Sequence, residues 1–413
     1  MERRRVVITG LGAVTPLGLN VGEFWQGLIA GRSGIAPITL FDASAFPTRI
    51  AGEVKNFDPG AFFDVREAKR LDRFAQFAMV AGLQAVKDSG IDFAKEDGLK
   101  CGALIGSGIG GLREIEEQHI RLLQKGPNKI SPFMVPKLMM NAASGQLSMF
   151  FGLRGPNFAA ASACASATNS IGEAGRIIAF GDADVMVAGG SEAACTPLGL
   201  GGFCALKALS TRNDAPQKAS RPFDLDRDGF VLGEGAGVVV LEELEHARKR
   251  GSHIYAELAG YGATADAYHL TAPEPSGAGA YNAMRIALAN GRINPSEVNH
   301  ISAHGTSTPL NDAMETAAIK TVFGDHAKKI AVSSIKSMIG HLLGASGGAS
   351  VVACALAIKE GVVPPTINYT TPDPVCDLDY VPNAARQMSV SVALSNAFGF
   401  GGHNACLAIR RLV

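Results

Sequence analysis

Three side chains stand out by type and setting as able to do covalent chemistry: Cys164, His304 and His341. Cys164 lies in Ala159-Ala160-Ala161-Ser162-Ala163-Cys164-Ala165-Ser166-Ala167, where small residues permit a tight turn between a strand and a helix. A buried free cysteine is ordinarily a small apolar residue, and the other six cysteines are read that way. A sulfur on a helix N-terminus differs, because free N–H groups and the helix dipole favour thiolate over thiol. The expectation is therefore a lowered Cys164 pKa, with the N–H groups of the turn also available to an oxyanion.

His304 follows Ile301-Ser302-Ala303 and precedes Gly305-Thr306-Ser307-Thr308, and His341 ends Lys336-Ser337-Met338-Ile339-Gly340-His341. Each closes a strand-like run and precedes a helix. One histidine beside glycine is most often a turn residue; two of them with one poised cysteine point to nucleophilic catalysis. Asp312 and Glu315 begin a helix and share a face. Asp312 reads as a cap, and Glu315 as a buried neighbour of Lys336 that keeps the lysine charged and the loop fixed. The stretch Asn396-Ala397-Phe398-Gly399-Phe400-Gly401-Gly402-His403-Asn404 carries more glycine than a plain turn needs. It reads as a mobile loop in which Phe400 moves and its backbone N–H faces the site.

Holding these groups requires layered elements. Val6–Thr9, Ala103–Ile105, Val185–Ala188, Ile330–Val332 and Leu407–Ile409 read as buried strands between Ala-rich helical runs, the pattern of α/β layers. After Cys164, Ile171, Ala174, Gly175 and Ile178 recur on one helix face. The run 342–359 is apolar on nearly every side and reads as a fully buried helix. Both helices begin just after a candidate catalytic residue, which points to a duplicated unit without a residue-level repeat. Two halves follow, 1–255 and 256–413, joined near Arg248-Lys249-Arg250-Gly251. Segments 112–150 and 196–230 read as insertions that cap the site.

Composition narrows the class. Hydrophobic residues make up 47% and charged residues 18% of 413, too little charge for disorder. Lys+Arg and Asp+Glu are 38 each, so nothing suggests nucleic-acid binding. Seven scattered cysteines with no CxxC pair argue against disulfides or thiolate zinc and for a reducing, cytoplasmic setting. No apolar signal core follows Met1, and the most apolar run, Ala349–Ile358, is too short to span a bilayer. Gly106-Ser107-Gly108-Ile109-Gly110-Gly111 matches a dinucleotide turn, but no strand ending in Asp or Glu follows about twenty residues later. Gly10-Leu11-Gly12 lacks the third glycine, and no phosphate-binding loop occurs. No carboxylate stands at ligand spacing from His304 and His341. Neither a cofactor nor a metal is expected.

Taken together, Ser162-Ala163-Cys164, Ala303-His304-Gly305-Thr306-Ser307-Thr308, Lys336–His341 and Gly399-Phe400-Gly401-Gly402 are specific. With them the chain, over essentially its whole length, resembles the elongating β-ketoacyl-acyl-carrier-protein synthases, and among them the type II branch. The resemblance implies a thiolase-like α/β fold: duplicated βαβαβαββ halves in five layers, α-β-α-β-α, as a homodimer without membrane insertion. It implies that Cys164 takes an acyl chain from carrier-protein phosphopantetheine and that malonyl-carrier protein then binds, with Thr306 and Thr308 on the pantetheine arm. It further implies that His304 and His341 promote decarboxylation, that Lys336 organises them, and that Glu315 and Asp312 support the loop. The Cys164 and Phe400 N–H groups would form the oxyanion hole. Thiolases carry a second cysteine in Cys-x-Gly, which Cys406 in Asn404-Ala405-Cys406-Leu407 does not match. Ile339, His403, Asn128 and Ala165-Ser166-Ala167 depart from the commonest pattern.

Three further expectations complete the reading. A basic patch of Arg66, Lys69, Arg70, Lys129 and Lys207 should meet the acidic carrier protein. Ile109, Phe133 and Phe203 should line an apolar acyl tunnel, with Phe400 as its gate. The alternatives are a ketosynthase of a specialised lipid or polyketide pathway and a non-condensing chain-length partner subunit; the intact Cys164 argues against the second.

Overall fold

The computed structural model describes residues 3–412; residues 1, 2 and 413 lie outside it. Ten strands carry the fold: β1 (Val6–Val14), β2 (Cys101–Gly106), β3 (Asn157–Phe158), β4 (Val185–Glu192), β5 (Gly235–Glu243), β6 (Ala256–Ala265), β7 (His300–Ser302), β8 (Ala331–Ser333), β9 (Val392–Gly399) and β10 (His403–Arg410). Their order is β8-β7-β9-β10-β6-β1-β5-β4-β2-β3. Cut between β1 and β6, this becomes two five-stranded sets of identical topology. In the first, β2 runs parallel to β3 and β4, and β5 runs antiparallel to β4 and β1. In the second, β7 runs parallel to β8 and β9, and β10 runs antiparallel to β9 and β6. Only Val7 opposite Glu257 and Ile8 opposite Ala256 join the sets along their edges. The duplication is therefore present in strand order although residue-level similarity is faint.

Five helices complete the layers. Helix α1 (Arg73–Ser89) covers the outer face of the first set, while α3 (Ala278–Gly291) and α4 (Pro309–Phe323) cover that of the second. Between the sets lie α2 (Ser166–Phe180) and α5 (Ser346–Glu360). Strands covered on both faces should be apolar throughout rather than alternating, and β1 and β4 are buried at every position. The helical stretch Leu343–Glu360 is longer than its apolar run suggests, at 18 residues. Its most apolar window is 89% buried, so it is a core element. Helices α2 and α5 are equivalent in detail. Each has 15 residues and is preceded by a single 3₁₀ turn, Ala163–Ala165 and Leu343–Ala345. Each turn starts on a non-glycine residue in the left-handed region, Ala163 (φ 49°) and Leu343 (φ 47°). Such backbone costs of order 1–3 kcal/mol and persists where the surroundings fix it.

His300 opens β7, the strand that delivers His304. It is buried, and its Nδ1–H donates to the Ala331 carbonyl at 2.8 Å. Burial pushes its pKa down from 6.5 to about 4. A depressed histidine contributes stability that is full above 6.5 and is lost as pH falls, because the unfolded chain then binds the proton first. Between pH 6 and 5 the wild type should lose about 1 kcal/mol more than His300→Gln. Urea unfolding at the two pH values measures this; equal losses would contradict a neutral His300.

Candidate active site

Cys164 is the middle residue of the 3₁₀ turn that opens α2, and it borders a cavity of about 470 Å³. His304, from the turn after β7, and His341, from the turn before α5, border the same cavity. So do Thr306, Thr308, Ile109, Phe203, Lys207 and Phe400. The imidazole rings meet edge to face with centroids 5.4 Å apart. Phe398 lies 5.6 Å from His304, and Phe230 lies 5.3 Å from both His341 and Phe203. Nothing in the sequence pattern marks Phe230, and nothing there ties Phe398 to His304.

The electrostatics correct one expectation. Cys164 is pushed up to about 12, chiefly by burial and further by the Glu192 charge. The Lys336 charge and the Phe400 and Cys164 backbone N–H groups pull the other way. The helix start thus favours thiolate as expected, but it does not outweigh loss of water around the sulfur. Cys164 rests as a thiol, and a base must take its proton. Burial, reinforced by Lys336, holds His304 and His341 well below 6.5, so both are neutral at physiological pH. His341 Nδ1 lies 2.9 Å from the Ser346 hydroxyl, whereas His304 Nδ1 has no hydrogen-bond partner among the described residues.

Lys336 is buried behind this cluster rather than in the cavity wall. Burial lowers its pKa to about 8, against the Glu315, Cys164 and Asp312 charges. Glu315 is not spent on pairing with it. The Glu315 carboxylate accepts the His304 and Gly305 N–H groups at 2.8 Å each and the Asn396 amide at 3.1 Å. Its effect on Lys336 acts through space, and its direct work is to fix the backbone that bears His304. Asp312 is no simple cap either. It accepts the Phe223 N–H at 2.8 Å and lies 3.7 Å from the Arg227 guanidinium, tying segment 221–227 to α4. Thr306 and Thr308 hydroxyls are 3.0 Å apart.

The glycine-dense stretch is the three-residue turn of the β9–β10 hairpin, closed by the Gly399–His403 pair. Gly401 and Gly402 take φ of 84° and 72°, which explains two glycines where a loop was expected. Of the two presumed caps, segment 196–230 supplies Phe203, Lys207 and Phe230 to the cavity, while 112–150 supplies nothing. Phe133 does not border this cavity. It is 44% exposed at the start of the helix Met134–Leu138, with the Arg70 guanidinium 5.5 Å over its ring. Arg66, Lys69, Arg70, Lys129 and Lys207 are all exposed, and only Lys207 reaches the cavity edge.

A cysteine at a buried helix start, beside two neutral histidines and between twinned strand sets, is the arrangement of a thiolase-like acyltransferase. Its relatives narrow this further. Residues 3–247 match the family described as beta-ketoacyl synthase, N-terminal domain, and 255–370 its C-terminal domain. The chain is 54% identical to the 3-oxoacyl-[acyl-carrier-protein] synthase 2 of Coxiella burnetii, covering 100% of both chains. It is 54% identical to that of a Synechocystis species, over 100% of this chain and 99% of the other. A polyketide ketosynthase solved with its acyl-carrier protein superposes with TM-score 0.93 at 38% identity, covering 99% and 100% of the two chains. A beta-ketoacyl synthase from Burkholderia phymatum gives 0.91 at 35%, with the same coverage. The chain belongs to the β-ketoacyl synthase family.

Because Lys336 favours thiolate, its removal should slow alkylation of Cys164. We expect iodoacetamide to modify Lys336→Met about tenfold more slowly than wild type at pH 7, one pKa unit of lost stabilisation. The gap should close as pH rises through about 8, where wild-type Lys336 loses its own charge. Peptide-resolved alkylation rates measure both; equal rates at pH 7 would contradict the assignment.

Proposed function

We propose that the chain elongates carrier-bound acyl thioesters by decarboxylative Claisen condensation, with residues 1–255 bearing the nucleophile and 256–413 the histidines. A neutral histidine takes the Cys164 proton, the thiolate attacks the acyl thioester, and the proton passes to the departing pantetheine thiolate. Malonyl-carrier protein follows, its pantetheine arm against Thr306 and Thr308. Loss of CO2 leaves an enolate whose oxygen accepts Nε2–H bonds from His304 and His341. The enolate carbon attacks the Cys164 thioester; the C–C bond forms, the C–S bond breaks, and the oxyanion is held by the Cys164 and Phe400 N–H groups. The product is a β-ketoacyl-carrier protein.

One observation carries this reading: Cys164, two neutral histidines and Phe400 border one cavity. Relatives 54% identical over the full length and named for fatty-acyl condensation favour that pathway over polyketide synthesis, where the likeness is 38%. The carrier protein seen with the polyketide ketosynthase supports the same class of partner here, docking on Arg66, Lys69, Arg70, Lys129 and Lys207. The working form is a cytoplasmic homodimer.

Incubation with acyl- and malonyl-carrier protein should give an acyl mass shift on the Cys164 peptide, then CO2 and β-ketoacyl product. Cys164→Ala should form no β-ketoacyl product. His341→Ala should still acylate at Cys164 and release CO2 about 10² to 10³ times more slowly, the usual cost of one lost oxyanion donor. An adduct on another cysteine, or normal CO2 release from His341→Ala, would overturn the roles.

A further inference from the structure

Glu192 ends β4 and is wholly buried, yet nothing in the reaction above uses it. Its carboxylate takes four hydrogen bonds. Oε1 accepts from the Ser107 hydroxyl at 2.8 Å and the Ile109 N–H at 3.2 Å. Oε2 accepts from the Gly108 N–H at 2.7 Å and the Gly344 N–H at 3.0 Å. The Ser107 hydroxyl oxygen in turn accepts the Gly110 N–H at 3.0 Å. The glycine-rich turn that resembles a dinucleotide site therefore cradles an anion, and the anion is the chain's own. A Cβ on Gly344 would sit 2.6 Å from Oε2 and 2.3 Å from the Gly108 backbone N, so glycine is needed there, and one on Gly108 would crowd Oε2 at 3.0 Å.

The duplicated fold explains what this clamp is for. In the parallel pairs, Gly106 of β2 stands opposite Gly190, and Ser302 of β7 opposite Ser395. Counting onward from these equivalent strand ends, Gly108 corresponds to His304 and Ile109 to Gly305. Glu315 holds the His304 and Gly305 N–H groups; Glu192 holds those of Gly108 and Ile109. Each half thus fixes the same turn with a buried carboxylate. Glu192 adds one bond that Glu315 lacks, to Gly344. That residue is the middle of the Leu343–Ala345 turn, the place Cys164 occupies in the other half. Ile109 and Leu343 both border the cavity beside Cys164.

We propose that Glu192 is the positioning residue that sets the acyl pocket, locking the Ile109 wall to the Leu343–Gly344 turn so that primer length is judged against a fixed surface. It acts through Ile109 and touches no substrate. The proposal rests on the acyl-transfer reading of Cys164. In Glu192→Gln the amide NH2 can turn to the Ser107 hydroxyl oxygen, which can accept, but it then faces the Ile109 N–H, so the carboxylate's hold on the Ile109 wall is lost.

The test is a kcat/KM series over saturated primers from 4 to 16 carbons, an arbitrary span of about a dozen methylenes. It uses full-length wild type, Glu192→Gln, Ile109→Ala and the double variant. Glu192→Gln should change the long-to-short ratio by about tenfold or more, the scale of a sub-ångström misplacement. The double variant should show the same ratio as Ile109→Ala, because Glu192 acts through that side chain. A merely structural role would lower every length equally, and parallel series or additive variants would overturn the proposal. Should Glu192→Gln fail to fold, Ser107→Ala removes one donor without stranding the carboxylate and should move the ratio in the same direction; an unmoved ratio there would also overturn it. No acyl adduct on wild-type Cys164 would instead defeat the reading on which the proposal rests.

Discussion

Burial of one cation among a thiol and two imidazoles is the constraint on which the rest of the site depends. Lys336 sits away from water, near the carboxylates of Glu315 and Asp312 but without spending itself on a close pair. Its charge favours the Cys164 thiolate and disfavours both imidazolium ions. One charge therefore does two things at once: it favours loss of the sulfur proton and keeps both neighbouring imidazoles neutral. In water neither effect would amount to much; in a site closed on most sides both are felt.

Keeping such groups dry yet accurately placed is a backbone problem, and the two-fold plan of the fold solves it. Helices α2 and α5, shared between the strand sets, present their opening turns to one crevice. The first turn carries Cys164 and the second carries Gly344, whose N–H is already occupied by Glu192. Of the two equivalent helix starts, the one at Gly344 is closed by the chain's own Glu192 carboxylate. The aromatic run from Phe203 through Phe230 to the histidines then walls the cavity with groups that exclude water without adding charge.

Much of this was legible in the residues. Cys164, His304, Lys336 and His341 were found because reactive types lay beside small residues at strand–helix junctions, and the apolar helices α2 and α5 followed from periodicity. The Cys164 pKa was misjudged because a sequence displays the helix start but not the depth of the sulfur. Glu315 was located correctly and given the wrong principal partner, since spacing along a helix does not reveal a backbone N–H from another strand. Phe133 was assigned to the tunnel from its insertion alone, and insertions do not declare which side of the fold they cover. Glu192 carries a sequence signal of its own: an acid that closes the apolar run Val185–Gly190 needs donors, and the Gly106–Gly111 turn supplies them.

The central claim is that His304 and His341 are neutral donors held so by burial and Lys336. The direct measurement is an NMR titration of the full-length protein with ¹⁵N-labelled histidine, assigned by single substitutions. Both rings should keep neutral shifts from pH 8 down to about 6, below the free-histidine value of 6.5. Either ring titrating at or above 6.5 in the wild type would contradict the account.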